Sequence, residues 1–259
     1  MSGAAPVGRL VLVPTPLDFG LRDAGPQPDL QEVLALGVIR QAASLSNWVA
    51  ENAKTARAFL KRVDAVVPLA QPLQSLHIVE LPRPAKGTNV AAPADLTALL
   101  APALHGHDIG LVSEAGLPAV ADPGAALVRA AHDLGVAVVP LAGASALLLA
   151  LAASGLNGQS FAFVGYLPVD AASRAVRIRE LEALSRRAGQ AQLAIETPYR
   201  NPALLAALLA ALQPATRLAV SCGLTLAQGW THSDSVAGWR ERPRPLPSDV
   251  PAVFALQAV

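Results

Sequence analysis

The chain contains one cysteine, Cys222, which excludes an internal disulfide framework and a thiolate metal site. That economy fits a reducing compartment such as the cytoplasm. Charge is scarce too: charged residues make up 15% of the chain and the net charge is +1. No global field draws this protein to nucleic acid or to an anionic membrane, so any basic binding surface must be local. The sequence lacks the lysine and glycine spacing of a phosphate loop, a serine-nucleophile elbow and any His/Asp/Glu cluster with metal-ligand spacing. The first residues, "MSGAAPVGRLVLVPTPL", have neither the charged flank nor the long apolar run of a secretory signal, and none is expected. One uncharged run, Val136 to Leu156, is 21 residues long and meets the length criterion for a membrane span. Pro140 and Gly143 divide it into a β-branched piece and an alanine-leucine piece, which reads as a buried strand followed by a buried helix. No membrane partner is expected.

What is abundant is core material. Hydrophobic residues are 53% of 259, enough for one large or two ordinary domains that bury roughly 70–75% of the unfolded surface. The first half alternates strand and helix signals. Strands are expected at Arg9–Pro14, Trp48–Glu51, 75–81 and Asp108–Ser113, with helices over Asn52–Val63 and Pro93–His105. Asp29 and Glu32 have capping-box spacing ahead of the periodic residues Leu30, Val33, Leu34 and Val38. The segment 82–93 reads as a loop. A helix over Ala125–Leu134, a strand over 136–140 and a helix over 143–154 follow. From Ser160 onward the pattern shifts toward strands ("FAFVGYL", "AQLAIET", "TRLAVSC", "GWTHSDSV", "AVFALQAV"), interrupted by helices near 171–187 and 201–213. The expected architecture is α/β, with a parallel-rich N-terminal sheet over 1–120 and a mixed C-terminal sheet over 121–259. "RERPRPLP" (Arg240–Pro247) reads as a stiff surface loop.

The awkward residues concentrate at strand ends. "LVSEAGLPAVADPG" (Leu111–Gly124) ends a strand and precedes a helix, the position at which open α/β sheets line a ligand crevice. Asp122 and Pro123 have an ordinary explanation, as the N-cap and first residue of the following helix. Ser113, Glu114 and Gly116 have none. "PLAGASALL" (Pro140–Leu148) repeats the pattern, with Gly143 and Ser145 opening a helix; capping by Ser145 is its structural explanation. "VPTPLDFG" ends the first strand and "ETPYR" (Glu196–Arg200) a later one. There Tyr199 is suited to stacking, and Arg200 to pairing with Glu196 or with an anion. Lys54, Arg57 and Lys61 share one helical face, and Arg174, Arg177, Arg179, Arg186 and Arg187 crowd another helix. Such rows track phosphates or, more commonly, face solvent. His77 is a base by residue type, though a buried or hydrogen-bonded histidine is the plainer account.

The order and spacing of "LVPTPL", "AENAKTARAFL", "LVSEAGLPAVADPG", "VVPLAGASALLLALAASGL", "FVGYLP" and "ETPYR" resemble the tetrapyrrole methylase superfamily. The closest likeness is to the branch that 2′-O-methylates a cytidine of small-subunit ribosomal RNA. The resemblance implies a two-domain homodimer that binds S-adenosylmethionine between its domains and acts on RNA or the small ribosomal subunit. It implies cofactor contacts at Leu17, at Ser113, Gly116, Leu117 and Val120, and at Gly143, Ser145 and Ala146. Thr197, Leu224 and Ala252 complete the implied pocket. Several substrate-side positions depart from that branch. Leu17-Asp18-Phe19-Gly20 replaces a Gly-Asn continuation, and Ala50-Glu51-Asn52-Ala53-Lys54 replaces Ala-Glu-Asp-Thr-Arg. Glu114 stands for an aspartate, Tyr199 for a histidine, and Gly223-Leu224-Thr225-Leu226 for Glu-Leu-Thr-Lys. A ribose hydroxyl needs its proton accepted, and Glu51 and Glu114 are the carboxylates expected to do it. A tetrapyrrole or other small-molecule acceptor, and a cofactor-binding paralogue without catalysis, are the alternatives.

Overall fold

A computed structural model describes residues 6–18, 29–82 and 96–259. Phe19 and Gly20, most of the expected 82–93 loop and the start of the expected helix at Pro93 lie outside the described residues. The chain divides into two compact units, Met1–Ala144 and Ser145–Val259.

The first unit follows from its apolar runs. β1 (Arg9–Leu12), β2 (Asn47–Ala50), β3 (His77–Glu80), β4 (Ile109–Val112) and β5 (Ala137–Pro140) form one sheet in the order β3-β2-β4-β1-β5, with every pairing parallel. β4 is buried at all four positions, as a parallel strand covered on both faces should be. One face packs on α1 (Leu30–Val33), α2 (Leu36–Ala43) and α3 (Ala53–Val66), through Ile39, Leu60 and Trp48. The other packs on α4 (Thr97–Leu104) and α5 (Ala125–Asp133), through Leu100, Leu127 and Leu111. The Asp29 side chain accepts from the Gln31 N–H at 2.9 Å, and Asn52 caps α3 by accepting from the Lys54 N–H at 2.9 Å. The residue-120 boundary expected from the change of pattern lies inside this unit, because β5 pairs with β1 along its whole length.

The second unit is a mixed sheet in the order β6-β7-β10-β8-β9. Its strands are β6 (Phe161–Tyr166), β7 (Ala191–Glu196), β8 (Arg217–Cys222), β9 (Trp230–Ser235) and β10 (Ala252–Gln257). β6 and β7 are parallel and the other pairings antiparallel. α6 (Ala146–Ser154) covers one face. On the other lie α7 (Ala171–Ala188), α8 (Asn201–Ala211) and α9 (Val236–Glu241), around Phe254, Leu218 and Trp239. α9 stands where the sequence reads as strand end and loop; Ser235 caps it by accepting from the Gly238 N–H at 3.0 Å. The uncharged Val136–Leu156 run divides into β5 and α6. Among the described residues no helix is long and apolar enough to cross a membrane.

Candidate functional site

β1 connects toward β2 while β4 connects toward β5, in opposite directions along the sheet. Such a reversal opens a crevice at the carboxyl ends of the strands. Three of the singled-out loops meet there. Val13 N–H donates to the Leu111 carbonyl at 2.9 Å, and Leu141 N–H to the Leu12 carbonyl at 3.0 Å. Thr15 and Gly116 exchange both backbone hydrogen bonds, at 2.9 and 3.1 Å. Gly116 therefore has its N–H committed and, lacking a side chain, offers a bare Cα surface beside the buried Leu17. The loop past it is tightly wound: Gly116, Ala119, Ala121 and Gly124 all have positive φ, at 76°, 66°, 64° and 133°. Two alanines in the left-handed region cost about 1–2 kcal/mol each, a strain tolerated where the backbone path itself matters.

That path changes the role of Asp122. The helix begins at Ala125 with Gly124 as its N-cap, so Asp122 does not cap it, because the wound loop places the carboxylate too early in the chain. The Ser113 hydroxyl donates to the Ala115 carbonyl at 3.4 Å, and Glu51 and Glu114 are the charged neighbours of the Asp122 carboxyl. Glu51 follows β2 and its N–H continues the ladder to the Val112 carbonyl at 3.1 Å; its Oε2 accepts from the Glu114 N–H at 3.1 Å. The two expected residues are thus brought together. Burial pushes the Asp122 carboxyl up to about 6, helped by Glu51 and, less strongly, by Glu114. A carboxyl that binds its proton more tightly folded than unfolded weakens the fold once it ionises. The wild type should therefore lose stability as the pH rises from about 4 to about 6. Asp122→Asn should be more stable than wild type by about 1–2 kcal/mol at pH 8, after solvent screening of a partly exposed group, and no more stable at pH 4. Urea denaturation at the two pH values measures the difference; a gain equal at both would reject the proposed cause.

In the second unit the expected residues gather at one end of the sheet. β10 runs antiparallel to β7 and β8, so Ala252 at its start lies opposite both Glu196 and Cys222. Thr197 follows β7 and Leu224 follows β8. Ala146 and Leu224 pack on the same apolar cluster as Leu147 and Val253. Ser145 occupies the N-cap of α6, yet its side chain makes no capping hydrogen bond, so the expected capping is absent and the first N–H groups of the helix lack that partner. Glu196 is buried. Its Oε1 accepts from the Thr197 N–H at 2.8 Å and its Oε2 lies 2.7 Å from Arg200 Nη2. Of the two partners foreseen for Arg200, the structure supplies Glu196. Tyr199 is exposed.

Other candidates fall elsewhere. His77 is exposed at the amino end of β3, where it pairs with Asn47, far along the strand from the loop of Glu51. It is neither a buried histidine nor a neighbour of the carboxylates. Lys54, Arg57 and Lys61 all face solvent on α3, as do Arg179, Arg186 and Arg187 on α7. Gly143 packs its Cα against Pro14, and Val120 is a largely exposed apolar side chain in the wound loop. Each unit offers groups of the kind S-adenosylmethionine needs. In the first, Leu17, Leu117 and Val120 suit apolar portions of such a molecule. In the second Leu224 does the same, while the start of α6, uncapped by Ser145, suits a carboxylate. The carboxylates of the first unit suit the acceptance of a proton. Among the described residues no group of three His, Cys, Asp or Glu side chains could hold a metal ion.

No family model matches the chain. Over 127 residues it is 39% identical to the ribosomal RNA small subunit methyltransferase I of Mesorhizobium japonicum, a match covering 49% of this chain and 42% of that protein. The Bacillus subtilis protein of the same name is 37% identical over 145 residues, covering 51% and 48%. The chain thus matches under half the length of these curated relatives. Among solved structures, the methyltransferase CobJ is similar over 97% of this chain and 95% of its own, with a TM-score of 0.56 and 16% identity. A putative cobalamin synthesis related protein, CobF, from Corynebacterium diphtheriae covers 98% of this chain and 99% of its own, with a TM-score of 0.54 and 16% identity. At such identities the likeness is one of fold.

Proposed function

We propose that this chain is a member of the tetrapyrrole methylase superfamily and an S-adenosylmethionine-dependent methyltransferase acting on a ribose 2′-hydroxyl of small-subunit ribosomal RNA. The observation that carries this reading is the local identity of about 40% to proteins named as methyltransferases of small-subunit ribosomal RNA. The gathered strand-end loops support it. When bound, the cofactor supplies a methyl group on a sulfonium, an electrophile that reacts by in-line displacement. The chain's tasks are then to hold and orient the reactants, exclude water and accept one proton. Gly116, Leu117 and Val120 line the wound loop beside Leu17, Ser113 leads into it from β4, and Gly143 keeps the third loop close to the first. Ser145 and Ala146 offer the helix start, and Thr197, Leu224 and Ala252 the end of the second sheet. Glu51 and Glu114 supply negative charge on the substrate side.

In this reading the protein works in the cytoplasm as a homodimer. No charged side chain occurs from Leu134 to Val169, yet Leu148, Phe161, Phe163 and Tyr166 of that stretch are exposed. Exposed apolar side chains of this kind suit a second copy of the chain better than RNA. Calorimetric titration with S-adenosylmethionine and with S-adenosylhomocysteine tests the cofactor assignment. Saturable binding of either is expected. No binding by the folded protein would remove the basis for methyl transfer. With binding in hand, label from the cofactor should appear in the RNA of small subunits prepared from cells lacking the enzyme. Label that appears only in small molecules would move the acceptor to that class.

A further inference from the structure

Two features of the second unit have no task so far, the arginine-proline segment Arg240–Pro247 and the exposed ring of Tyr199. They lie at the same end of the sheet. The register sets Glu196 opposite Ala252, Ala252 opposite Cys222 and Cys222 opposite Trp230, one row across β7, β10, β8 and β9. At about 4.8 Å per step the row is about 14 Å wide. Tyr199 stands in the short turn Pro198–Arg200 just past one end of the row, and the pair between Arg200 and Glu196 holds that turn to the strand. Trp230 is the other end. Packing joins the two segments. Two residues past Tyr199, the Asn201 amide donates to the Val250 carbonyl at 2.9 Å. Two residues past Arg244, Leu246 is buried in a cluster against which both Val250 and Trp230 pack.

The Arg244 guanidinium carbon lies 3.9 Å from the centroid of the Trp230 ring, over its face. Arg244 is nonetheless exposed, so the indole covers its guanidinium on one side and solvent meets it on the other. Its two neighbouring arginines are spent. Arg242 is paired with Asp234 at 3.0 Å, and Arg240 donates to the carbonyls of Leu209 and Leu212. Among the described residues Arg244 forms no ion pair. Pro243 and Pro245 flank it and fix the backbone on both sides, so little freedom is lost when a ligand meets it. The Tyr199 ring is 70% exposed.

We propose that Tyr199 and the Arg244–Trp230 pair form a stacking surface for unpaired bases of the RNA substrate, beside Thr197, Leu224 and Ala252. The inference rests on the reading of this protein as an RNA methyltransferase. Aromatic rings and guanidinium planes are the surfaces on which splayed-out RNA bases stack, whereas the bases of a duplex are already stacked on one another. The segment from Arg240 to Arg244 carries three arginines and one glutamate, a local positive charge on a chain whose net charge is only +1. Affinity drawn from stacking also needs few phosphate contacts, which suits so small a net charge.

Fluorescence anisotropy with a labelled oligouridine and with an RNA duplex of equal length tests the surface. Wild type should bind the single strand more tightly. Tyr199→Ala and Arg244→Ala should each weaken that binding by about tenfold, with urea midpoints close to that of wild type. Tyr199→Phe keeps the ring and should bind as wild type does. Arg244→Lys keeps the charge and loses the plane, so it should bind several-fold more weakly with the salt dependence of wild type. In transfer to small subunits from cells lacking the enzyme, the losses should appear in KM rather than kcat. Wild-type affinity in both alanine variants would overturn the proposal. So would an equal loss in Tyr199→Phe and Tyr199→Ala, or wild-type affinity in Arg244→Lys, which would make that group a point charge for phosphate. If wild type binds no RNA and labels no small subunit, the RNA reading and this surface fall together. If it labels small subunits and the variants match it, the surface falls alone.

Discussion

Arg200→Ala should destabilise the protein by about 3 kcal/mol, because it leaves a buried carboxylate without its cation. Glu196 ends β7 with its side chain only 1% exposed, and Arg200 Nη2 lies 2.7 Å from its Oε2. The remaining donors to Glu196 are the Thr197 N–H at 2.8 Å and the Thr197 hydroxyl at 3.3 Å, both on Oε1. Removing the guanidinium therefore strands Oε2 in an apolar setting. The consequence reaches the candidate site through geometry. Glu196 is the register partner of Ala252 and the neighbour of Thr197, so a displaced carboxylate loosens two of the expected cofactor contacts. Affinity for S-adenosylhomocysteine should fall by at least tenfold in the same variant. Arg200→Lys should recover only part of both losses, since an ammonium on a flexible stem does not reproduce a planar fork. Urea denaturation and calorimetry measure the two effects. A loss of stability under 1 kcal/mol would mean that solvent already screens the pair and that Arg200 is not holding the strand end.

Most of the architecture was legible because burial leaves direct traces in the sequence. β4 reads as an uninterrupted apolar run because both its faces are covered, and α3 declares its start through Asn52. The strand-end loops were legible from their prolines, glycines and carboxylates. Three features were not, each for the same reason: tertiary contacts override local signals. Asp122-Pro123 has the sequence of a helix start, but Ala119 and Ala121 in left-handed conformations carry the chain on to Gly124 before the helix begins. No propensity would place alanine there. Ser145 has the right identity and position for a cap, yet its side chain makes no capping bond. α9 is short and contains Gly238 and Trp239, a composition that reads as strand end and loop. It forms because the Trp239 ring is wholly buried, with its N–H donating to the Leu218 carbonyl at 2.8 Å. The residue-120 boundary differs from the division at Ala144 for a related reason: only the pairing of β5 with β1 assigns residues 121–144 to the first unit. The carboxylate cluster shows what residue types alone cannot supply. Glu51 and Glu114 were visible as acids, but the burial that singles out Asp122 belongs to the folded loop.

Gly143→Ala should destabilise the first unit by about 1–3 kcal/mol, the usual cost of adding a methyl group to a filled space. Gly143 does not need glycine for its φ; it needs the absence of a side chain. A Cβ built there would overlap Cβ and Cγ of Pro14 and reach to 3.6 Å from Leu34 Cδ2. Pro14 cannot yield easily. Its neighbours Val13 and Thr15 are tied to the Leu111 and Gly116 carbonyls, and a proline ring has little torsional freedom of its own. The added methyl group must therefore push either the first loop off the wound loop or the Gly143 loop away from both. Either movement separates groups that the Thr15–Gly116 exchange holds in register, so the cost should be larger in function than in stability. Affinity for S-adenosylhomocysteine should fall by at least tenfold. The double variant Gly143→Ala with Pro14→Ala should regain much of the binding, because removing the ring returns the space the methyl group takes. If the single variant binds as wild type does, close approach of the two loops is a packing feature alone. If the double variant regains binding, the position of the first loop relative to Gly143 is what the cofactor requires.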